Sequence, residues 1–328
     1  MSASVCRKHL SAEGLLRAAR RVCATIPDAP GQAIALVDHL MSGLALFGLK
    51  YPSLLQFDRD SREETTTRAN LRSLYGVERA PSDSRFRERL DALDPSVLQP
   101  VYKALFAQLQ RGKGLEDFAY LDGHYLLSLD GSGYFSSKTV HCKHCGEKHH
   151  RDGSVTYYHQ MLGAVLVHPD QSEVIPLAPE PILKQDGAQK NDCERNAAKR
   201  LLSDLRRAHP HLKLIVVEDG LASNAPHIRL LQELNYRFIL TAKPSDHKFL
   251  FDWVENTPTT DETEFVDEAG YHHRFRYLNG VPLNDAHSHG VFFVDLADFL
   301  STTDEIQIQR GVGTTLYGGS AIGGAVNL

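Results

Sequence analysis

The chain has 328 residues, of which 42% are hydrophobic and 23% charged, and this balance predicts a globular protein of about two domains. The opening residues lack the apolar core of a signal peptide, and the longest apolar run, residues 33–49, contains Asp38 and His39. The five cysteines form no regular framework. These features argue against export and against a membrane span, and they predict a cytoplasmic protein without a membrane partner.

The net charge of −5 is unevenly distributed along the chain. Residues 1–115 carry 17 Lys and Arg against 12 Asp and Glu, whereas the remainder has an excess of acids. Apolar residues recur at helical spacing in this first part, which predicts an all-helical region. A basic helical region ahead of an acidic domain is compatible with DNA binding, although a solvated basic surface accounts for so modest an excess more readily.

Residues 70–93 predict two short helices separated by a turn that contains glycine. Pro81, Ser82 and Asp83 are typical of a helix start, and the second helix carries Arg85, Arg87 and Arg89. A helix-turn-helix would place such a helix in the DNA major groove, with arginines on phosphates. An ordinary helical hairpin has the same spacing, so the sequence leaves the two interpretations equal.

From residue 123, within a domain predicted to begin at residue 116, the pattern changes to apolar strands. Three strands are followed by a helix, a strand, a helix and a strand, up to about residue 250, and this order predicts an α/β fold with a ribonuclease-H-like core. Residues 251–288 are charged and rich in turns, which indicates the start of an interrupted, β-rich insertion. The remaining residues, 289–328, form a glycine-rich tail of different composition.

Two aspartates of this core have the same setting. Asp130 and Asp219 each follow an apolar strand and precede a glycine. Acids at the ends of adjacent strands can share Mg²⁺, because carboxylate oxygens are the ligands that this hard cation prefers. An acid followed by glycine is also a common turn, and that alternative stays open. Asp122 repeats the motif but precedes its strand, so Asp130 is the preferred ligand.

The segment VHCKHCGEKHHRDG, residues 140–153, concentrates metal-binding side chains. Cys142, Cys145, His149 and His150 have a spacing compatible with a structural Zn²⁺ site, and His159 is a further candidate ligand. An exposed hairpin loop without a metal is the alternative interpretation. Redox chemistry is disfavoured because no thioredoxin-like strand and helix surround the cysteines.

Several separated blocks resemble an insertion-sequence transposase of the DDE class. They are LSLDGSGYFSSK, HRDGSVTYYHQMLGAVLVHP, QKNDCERNAAKRLL and VVEDGLASNAPHI, with NLRSLYGVERAPSDSRFRERLD upstream. The resemblance covers roughly residues 1–288. It implies DNA cleavage and strand transfer at the terminal inverted repeats of an element and in target DNA. It also implies Mg²⁺ or Mn²⁺ as cofactor, with Asp130 and Asp219 as the first two catalytic acids and metal ligands.

The third acid of that class is a glutamate on a late helix, and the sequence offers no match for it. Glu194 lies on a helix, but it precedes the second aspartate, so its order in the chain is wrong even if it lies near the site. The resemblance therefore implies an enzyme that is inactive or weak. A non-catalytic DNA-binding remnant is an alternative, and the sequence leaves the oligomeric state open.

The tail has a different resemblance. HGVFFVDLADFLSTTDEIQIQRGVGTTLYGGSAIGGAVNL resembles part of the plug domain of a TonB-dependent receptor. The sequence thus predicts four parts: a DNA-binding helical region (1–115), a catalytic core (116–250), the beginning of an insertion (251–288) and a foreign plug-like tail (289–328). A receptor plug fragment is the rival function, and the missing export signal and barrel strands argue against it.

Overall fold

The computed structural model describes residues 10–183, 193–257, 261–266, 270–279, 306–309 and 325–327. The chain divides into two compact units, Met1–Asp117 and Phe118–Leu328. In its described residues the first unit is helical and the second is mixed α/β. None of the described helices is long and apolar enough to cross a membrane.

The first unit contains six α-helices in its described part. They are α1 (Ala12–Cys23), α2 (Leu36–Gly48), α3 (Leu54–Glu63), α4 (Thr65–Ser73), α5 (Asp83–Leu90) and α6 (Gln99–Arg111). Serine caps fix several helix starts: Ser11 Oγ accepts from Gly14 N–H at 3.1 Å, and Ser53 Oγ from Gln56 N–H at 3.1 Å. Met41, with no exposed surface, lies in the apolar core of this unit. The helical prediction for the described part of this region is confirmed.

The two helices predicted between residues 70 and 93 are α4 and α5. Ser82 caps α5, since its Oγ accepts from Arg85 N–H at 3.4 Å. Phe86 is the buried residue of α5, Arg89 follows it by one turn and is partly buried, and Arg85 and Arg87 are exposed. This helix is only eight residues long, so its position depends on packing more than on its own propensity.

The second unit is built around one mixed sheet. Its first strands and helices are β1 (Tyr125–Ser137), β2 (Gly146–His149), β3 (Val155–Val167), β4 (Ile175–Pro176), β5 (Glu180–Ile182), α7 (Glu194–Ala208), β6 (Leu214–Glu218), α8 (Ala225–Glu233), β7 (Arg237–Ala242) and α9 (Lys248–Glu255). Strands β3, β1, β6 and β7 lie side by side. β1 runs antiparallel to β3 and parallel to β6, and β6 is parallel to β7.

The third predicted strand, residues 173–182, is divided into two. β5 and β4 pair with successive stretches of β3, and β2, which the sequence did not predict, pairs with the stretch before them. Because β1 pairs along all of β3, these three short strands must share the other edge of β3. The interruption follows from prolines in the segment, since proline lacks the N–H that a continuous ladder needs.

The core of this unit lies where the helices pack on the sheet. α7 buries a stripe of small and leucine side chains: Ala197, Ala198, Leu201, Leu202 and Leu205. β6 is buried at Leu214, Ile215 and Val216, as expected for a central parallel strand. The alternation of β7 buries Phe238, Leu240 and Ala242.

The later residues add strands to the same sheet. β8 (Asp261–Val266) and β9 (His272–Asn279) form an antiparallel hairpin, and β10 (Ile306–Gln309) and β11 (Ala325–Asn327) pair with each other. β10 also pairs with β7, and β11 with β9. Two segments of the tail therefore pair within the sheet, and its plug-like origin stays a prediction.

Candidate active site

Asp130 and Asp219 lie just beyond the point where the parallel pairing of β1 and β6 ends. The last paired residues are Ser128 and Val217, and each aspartate follows its paired residue by two positions. Both side chains are exposed. The prediction that β1 ends at Asp130 was wrong, because β1 stays paired with β3 and continues to Ser137.

The two aspartates line one small cavity of about 40 Å³. A third carboxylate, that of Glu194, lines the same cavity. The remaining lining residues are Leu129, Gly131, Leu162, Arg195, Ala198, Glu218, Leu221, Ala222 and His227. The structure thus brings the two predicted acids together and adds a glutamate that the sequence placed only in their neighbourhood.

Glu194 reaches this cavity because it is the first residue of α7, and its side chain contacts β1 at Gly131. Its carboxylate lies against Gly131, where a side chain would leave it no room. Burial raises the pKa of Glu194, and the charges of Asp130 and Asp219 raise it further. The two aspartates are therefore close enough to disfavour a third negative charge.

The donor set suits a hard divalent cation. Three carboxylates offer oxygen ligands, and Mg²⁺ and Mn²⁺ prefer oxygen. Their oxygens do not all lie within 4.8 Å of one another in the described structure. Burial is the main cause of the raised pKa of Glu194, and a bound cation would offset the further contribution from the charges of Asp130 and Asp219. The residues present therefore fit the metal that the resemblance implies.

Glu218 and His227 form a buried pair behind the aspartates. His227 Nε2 lies 2.5 Å from Glu218 Oε2, and neither side chain is more than 7% exposed. Glu218 is the last residue of β6, and its contact with His227 joins it to α8, although both residues also belong to the lining of the cavity. The pair ties the end of β6 to α8, and Asp219 follows directly.

Lys243, in the segment after β7, packs on the turn that follows β6. Asp219 Oδ1 accepts from Leu221 N–H at 3.0 Å, which holds the turn. The side chain of Lys243 packs over Gly220, with its carbons 3.3 to 3.4 Å from where a Cβ would stand. Lys243 is exposed, and Arg195 lines the cavity itself. These two cations could bind phosphate.

Asp122 has a different partner. Its Oδ2 accepts from Arg237 Nη1 at 3.1 Å, and Asp122 is not among the residues that line the cavity. Its backbone has a φ of +53°, a left-handed conformation that aspartate tolerates in turns. Asp122 and the glycine after it therefore form a structural turn. This agrees with the choice of Asp130 over Asp122 as the candidate metal ligand.

The predicted zinc ligands are divided between two places. Cys142 and Cys145 come together with His159. His149, by contrast, lies 3.3 Å from Glu147, and His150 Nε2 lies 2.8 Å from Thr156 Oγ1. The prediction of His149 and His150 followed from nearness in sequence, whereas β3 carries His159 to the cysteines across the sheet.

The three arginines of α5 all have acidic partners. Arg85 Nη1 lies 3.0 Å from Glu88, and Arg87 Nε lies 2.7 Å from Asp83. Both arginine side chains are about 60% exposed, so these pairs can exchange with phosphate.

Arg89 differs from the other two arginines. It bonds Asp28 and is only 20% exposed. The other carboxylate oxygen of Asp28 accepts from Leu36 N–H at 2.7 Å. Arg89 therefore fastens the start of α2, which is a structural role.

A larger basic cavity opens in the helical unit. It has a volume of about 790 Å³ and includes Ser61, Ser82 and Glu78 in its lining. Five arginines line it: Arg62, Arg68, Arg72, Arg79 and Arg85. Sequence reasoning did not select most of these arginines, because they are scattered over residues 62–85 and gather only when α3, α4 and α5 fold together.

Comparison with known proteins finds similarity to a solved structure but to no family model or curated protein. No protein-family model and no curated protein matches this chain. Among solved structures it is similar to a piggyBac transposase in a synaptic complex with hairpin DNA, with 14% identity and a TM-score of 0.33. The match covers 83% of this chain and 62% of the transposase chain, so this chain spans less than two thirds of that protein's length.

Proposed function

We propose that the second unit is a metal-dependent phosphoryl-transfer domain of the DDE transposase class, acting on DNA. The observation that carries the proposal is the convergence of Asp130, Asp219 and Glu194 on one cavity. Carboxylate oxygens are the ligands that Mg²⁺ and Mn²⁺ prefer, and a bound divalent cation would offset the repulsion between them.

The sheet supports the same assignment. An antiparallel pair, β3 and β1, is followed by the parallel strands β6 and β7, with α7 and α8 in the connections. This arrangement is compatible with the ribonuclease-H-like core that the resemblance implies. The aspartates stand where the parallel strands β1 and β6 separate, which is where ligands bind in open α/β sheets.

Asp130, Asp219 and Glu194 would hold Mg²⁺ or Mn²⁺. When bound, the metal supplies charge stabilisation to the attacking and leaving oxygens of an in-line phosphoryl transfer. Arg195 and Lys243 bind the phosphates on either side of the scissile bond. Water is the nucleophile for cleavage, and a freed 3′-hydroxyl is the nucleophile for joining.

The chain's other residues position this centre. The pair of Glu218 and His227 fixes the end of β6, and the Asx turn of Asp219 fixes the carboxylate that follows. In the helical unit, the cavity with five arginines supplies a basic surface that suits a DNA backbone. The proposed partners are the terminal inverted repeats of an element and target DNA.

The activity that we expect is weak nicking of DNA. Glu194 supplies a third carboxylate, but it comes from α7 and not from the late helix of the class. Strand transfer depends on holding two DNA substrates at once, so we expect it to be more impaired than cleavage.

The test is a nicking assay with the purified chain and labelled DNA that carries the element's ends, in Mg²⁺, Mn²⁺ or EDTA. Asp130→Asn is the test variant, and Asp122→Asn is its matched control, because Asp122 has the same sequence motif and a different partner. Nicking that needs metal, survives in Asp122→Asn and is lost in Asp130→Asn supports the proposal. If the chain binds DNA but does not nick it under any condition, the proposal of an enzyme is overturned, and the chain is the non-catalytic DNA-binding remnant.

A further inference from the structure

A second cluster of metal-binding side chains lies away from the carboxylates, on the long hairpin of β1 and β3. Cys142 and Cys145 belong to the segment between β1 and β2, and His159 is on β3. Their ligand atoms all lie within 4.8 Å of one another. Among the residues that the structure describes, no other group of three His, Cys, Asp or Glu side chains meets this condition.

The distances match the edges of a zinc tetrahedron. The two sulfurs are 3.8 Å apart, and His159 Nε2 lies 3.3 Å from each sulfur. With zinc–sulfur bonds of about 2.3 Å and zinc–nitrogen bonds of about 2.0 Å, tetrahedral angles give edges of roughly 3.8 Å and 3.5 Å. A disulfide would instead bring the two sulfurs to about 2.05 Å.

The backbone around the cysteines donates a hydrogen bond to each sulfur, as is typical of sulfur ligands. Cys142 N–H donates to Cys145 Sγ at 3.3 Å, and His144 N–H donates to Cys142 Sγ at 3.4 Å. Donors aimed at both sulfurs stabilise thiolates, which are the form that binds metal. The turn between the cysteines thus presents both sulfurs toward the same point.

The site is partly buried and its imidazole is held in place. Cys145 is only 2% exposed, His159 is half-buried and Cys142 is exposed. Tyr134 stacks on the His159 ring with centroids 5.8 Å apart, and Phe135 contacts the same ring at 5.7 Å. Aromatic packing therefore fixes the direction of Nε2. Phe135 is also the cross-strand partner of His159, so the ring is aligned by the pairing of β1 and β3.

We propose that Cys142, Cys145 and His159 bind one Zn²⁺, which fastens the segment after β1 to strand β3. The described residues give three ligands, whereas a closed structural zinc site has four protein ligands, so the fourth position of the tetrahedron is left to water or to a further side chain. The role that we propose for the ion is to hold together the end of the hairpin whose other part carries Asp130. His149 and His150 take no part.

The test is the metal content of the purified full chain, measured by mass spectrometry after growth with added zinc. We expect one zinc per chain in the wild type, and almost none in Cys142→Ser and His159→Ala. His149→Ala and Cys193→Ser are matched controls and should keep the zinc. Asp130→Asn should keep it too, which separates this site from the carboxylate centre.

A second measurement uses only the wild-type protein, so that it remains informative if the variants fail to fold. Cobalt-substituted wild-type protein should have the thiolate-to-metal charge-transfer absorption and the intense visible bands of a tetrahedral site with sulfur ligands. Wild-type protein without stoichiometric zinc, a Cys142–Cys145 disulfide in the fresh protein, or cobalt spectra without sulfur ligation would each overturn the proposal.

Discussion

The carboxylate of Glu194 lies against the Cα of Gly131, one residue after Asp130, and no side chain would fit between them. Helix α7 and strand β1 meet at this contact. The glycine that looked like a turn residue in the sequence is therefore an interior strand residue whose missing side chain admits a carboxylate.

Gly131→Ala tests this contact. The added methyl group should displace the flexible end of Glu194, while β1 keeps its pairing, because Gly131 does not have a positive φ. We expect the affinity for Mn²⁺, measured by calorimetry, to fall by at least about tenfold, with thermal stability retained. Gly133→Ala is the matched control, since its nearest neighbours stand 3.9 and 4.0 Å from the new Cβ. If Gly131→Ala and Gly133→Ala bound Mn²⁺ with equal affinity, Glu194 would not be a ligand of the metal centre.

Glu194→Gln should change how stability depends on pH. Burial, Asp130 and Asp219 raise the pKa of Glu194 in the folded chain, so its charge destabilises the fold once the pH exceeds the ordinary value of about 4.3. In EDTA, wild type should lose stability relative to Glu194→Gln as the pH rises from there to neutrality. With Mg²⁺ the order should reverse, because only the carboxylate is a strong ligand. Thermal denaturation of wild type and Glu194→Gln at several pH values, in EDTA and in Mg²⁺, measures both differences in stability. A difference that does not vary with pH would contradict this account.

Removing one member of the buried pair should destabilise the second unit. His227→Ala leaves Glu218 without its partner, at a cost of about 1–3 kcal/mol in the free energy of unfolding. The double variant with Glu218→Ala should cost less than the sum of the single variants. Glu233→Ala, on the exposed end of α8, is the control and should be nearly neutral. Additive costs would show that the two residues do not interact.

Two arginines of α5 should behave differently. Arg87→Ala should leave stability within about 0.5 kcal/mol and lower DNA affinity, with the salt slope reduced by about one if Arg87 contacts a phosphate. Arg89→Ala should instead destabilise the helical unit by up to about 1 kcal/mol, because Asp28 loses its ion pair and keeps only the hydrogen bond from Leu36 N–H. Denaturation and binding at several salt concentrations separate the two roles. If Arg89→Ala kept its stability but bound DNA more weakly, Arg89 would be a DNA contact and not a structural residue.

Local signals were sufficient for much of the fold. The serine before α5 and the apolar stripe of α7 mark those helices, and the buried run of β6 marks a central strand. The same local pattern identified Asp130 and Asp219 as candidates, and the fold places both on one cavity.

Features that depend on pairing between distant residues were not predictable from local patterns. β1 runs past Asp130 only because β3 continues to pair with it. The sequence offered His159 only as one candidate beside His149 and His150, and that same register is what brings it to the cysteines, which lie 14 and 17 positions earlier. Glu194 reaches the aspartates because of where α7 begins, and chain order alone placed it in the wrong position for a third ligand.

The most direct test of the carboxylate centre is a Mn²⁺ titration followed by electron paramagnetic resonance of the free ion. Wild type, Asp130→Asn and Asp122→Asn would be compared after loading with zinc, so that the cysteine cluster does not contribute. We predict saturable binding in wild type and Asp122→Asn, and a loss of at least about tenfold in affinity in Asp130→Asn. Equal binding by all three chains, or none by wild type, would contradict the claim that Asp130, Asp219 and Glu194 form a metal centre.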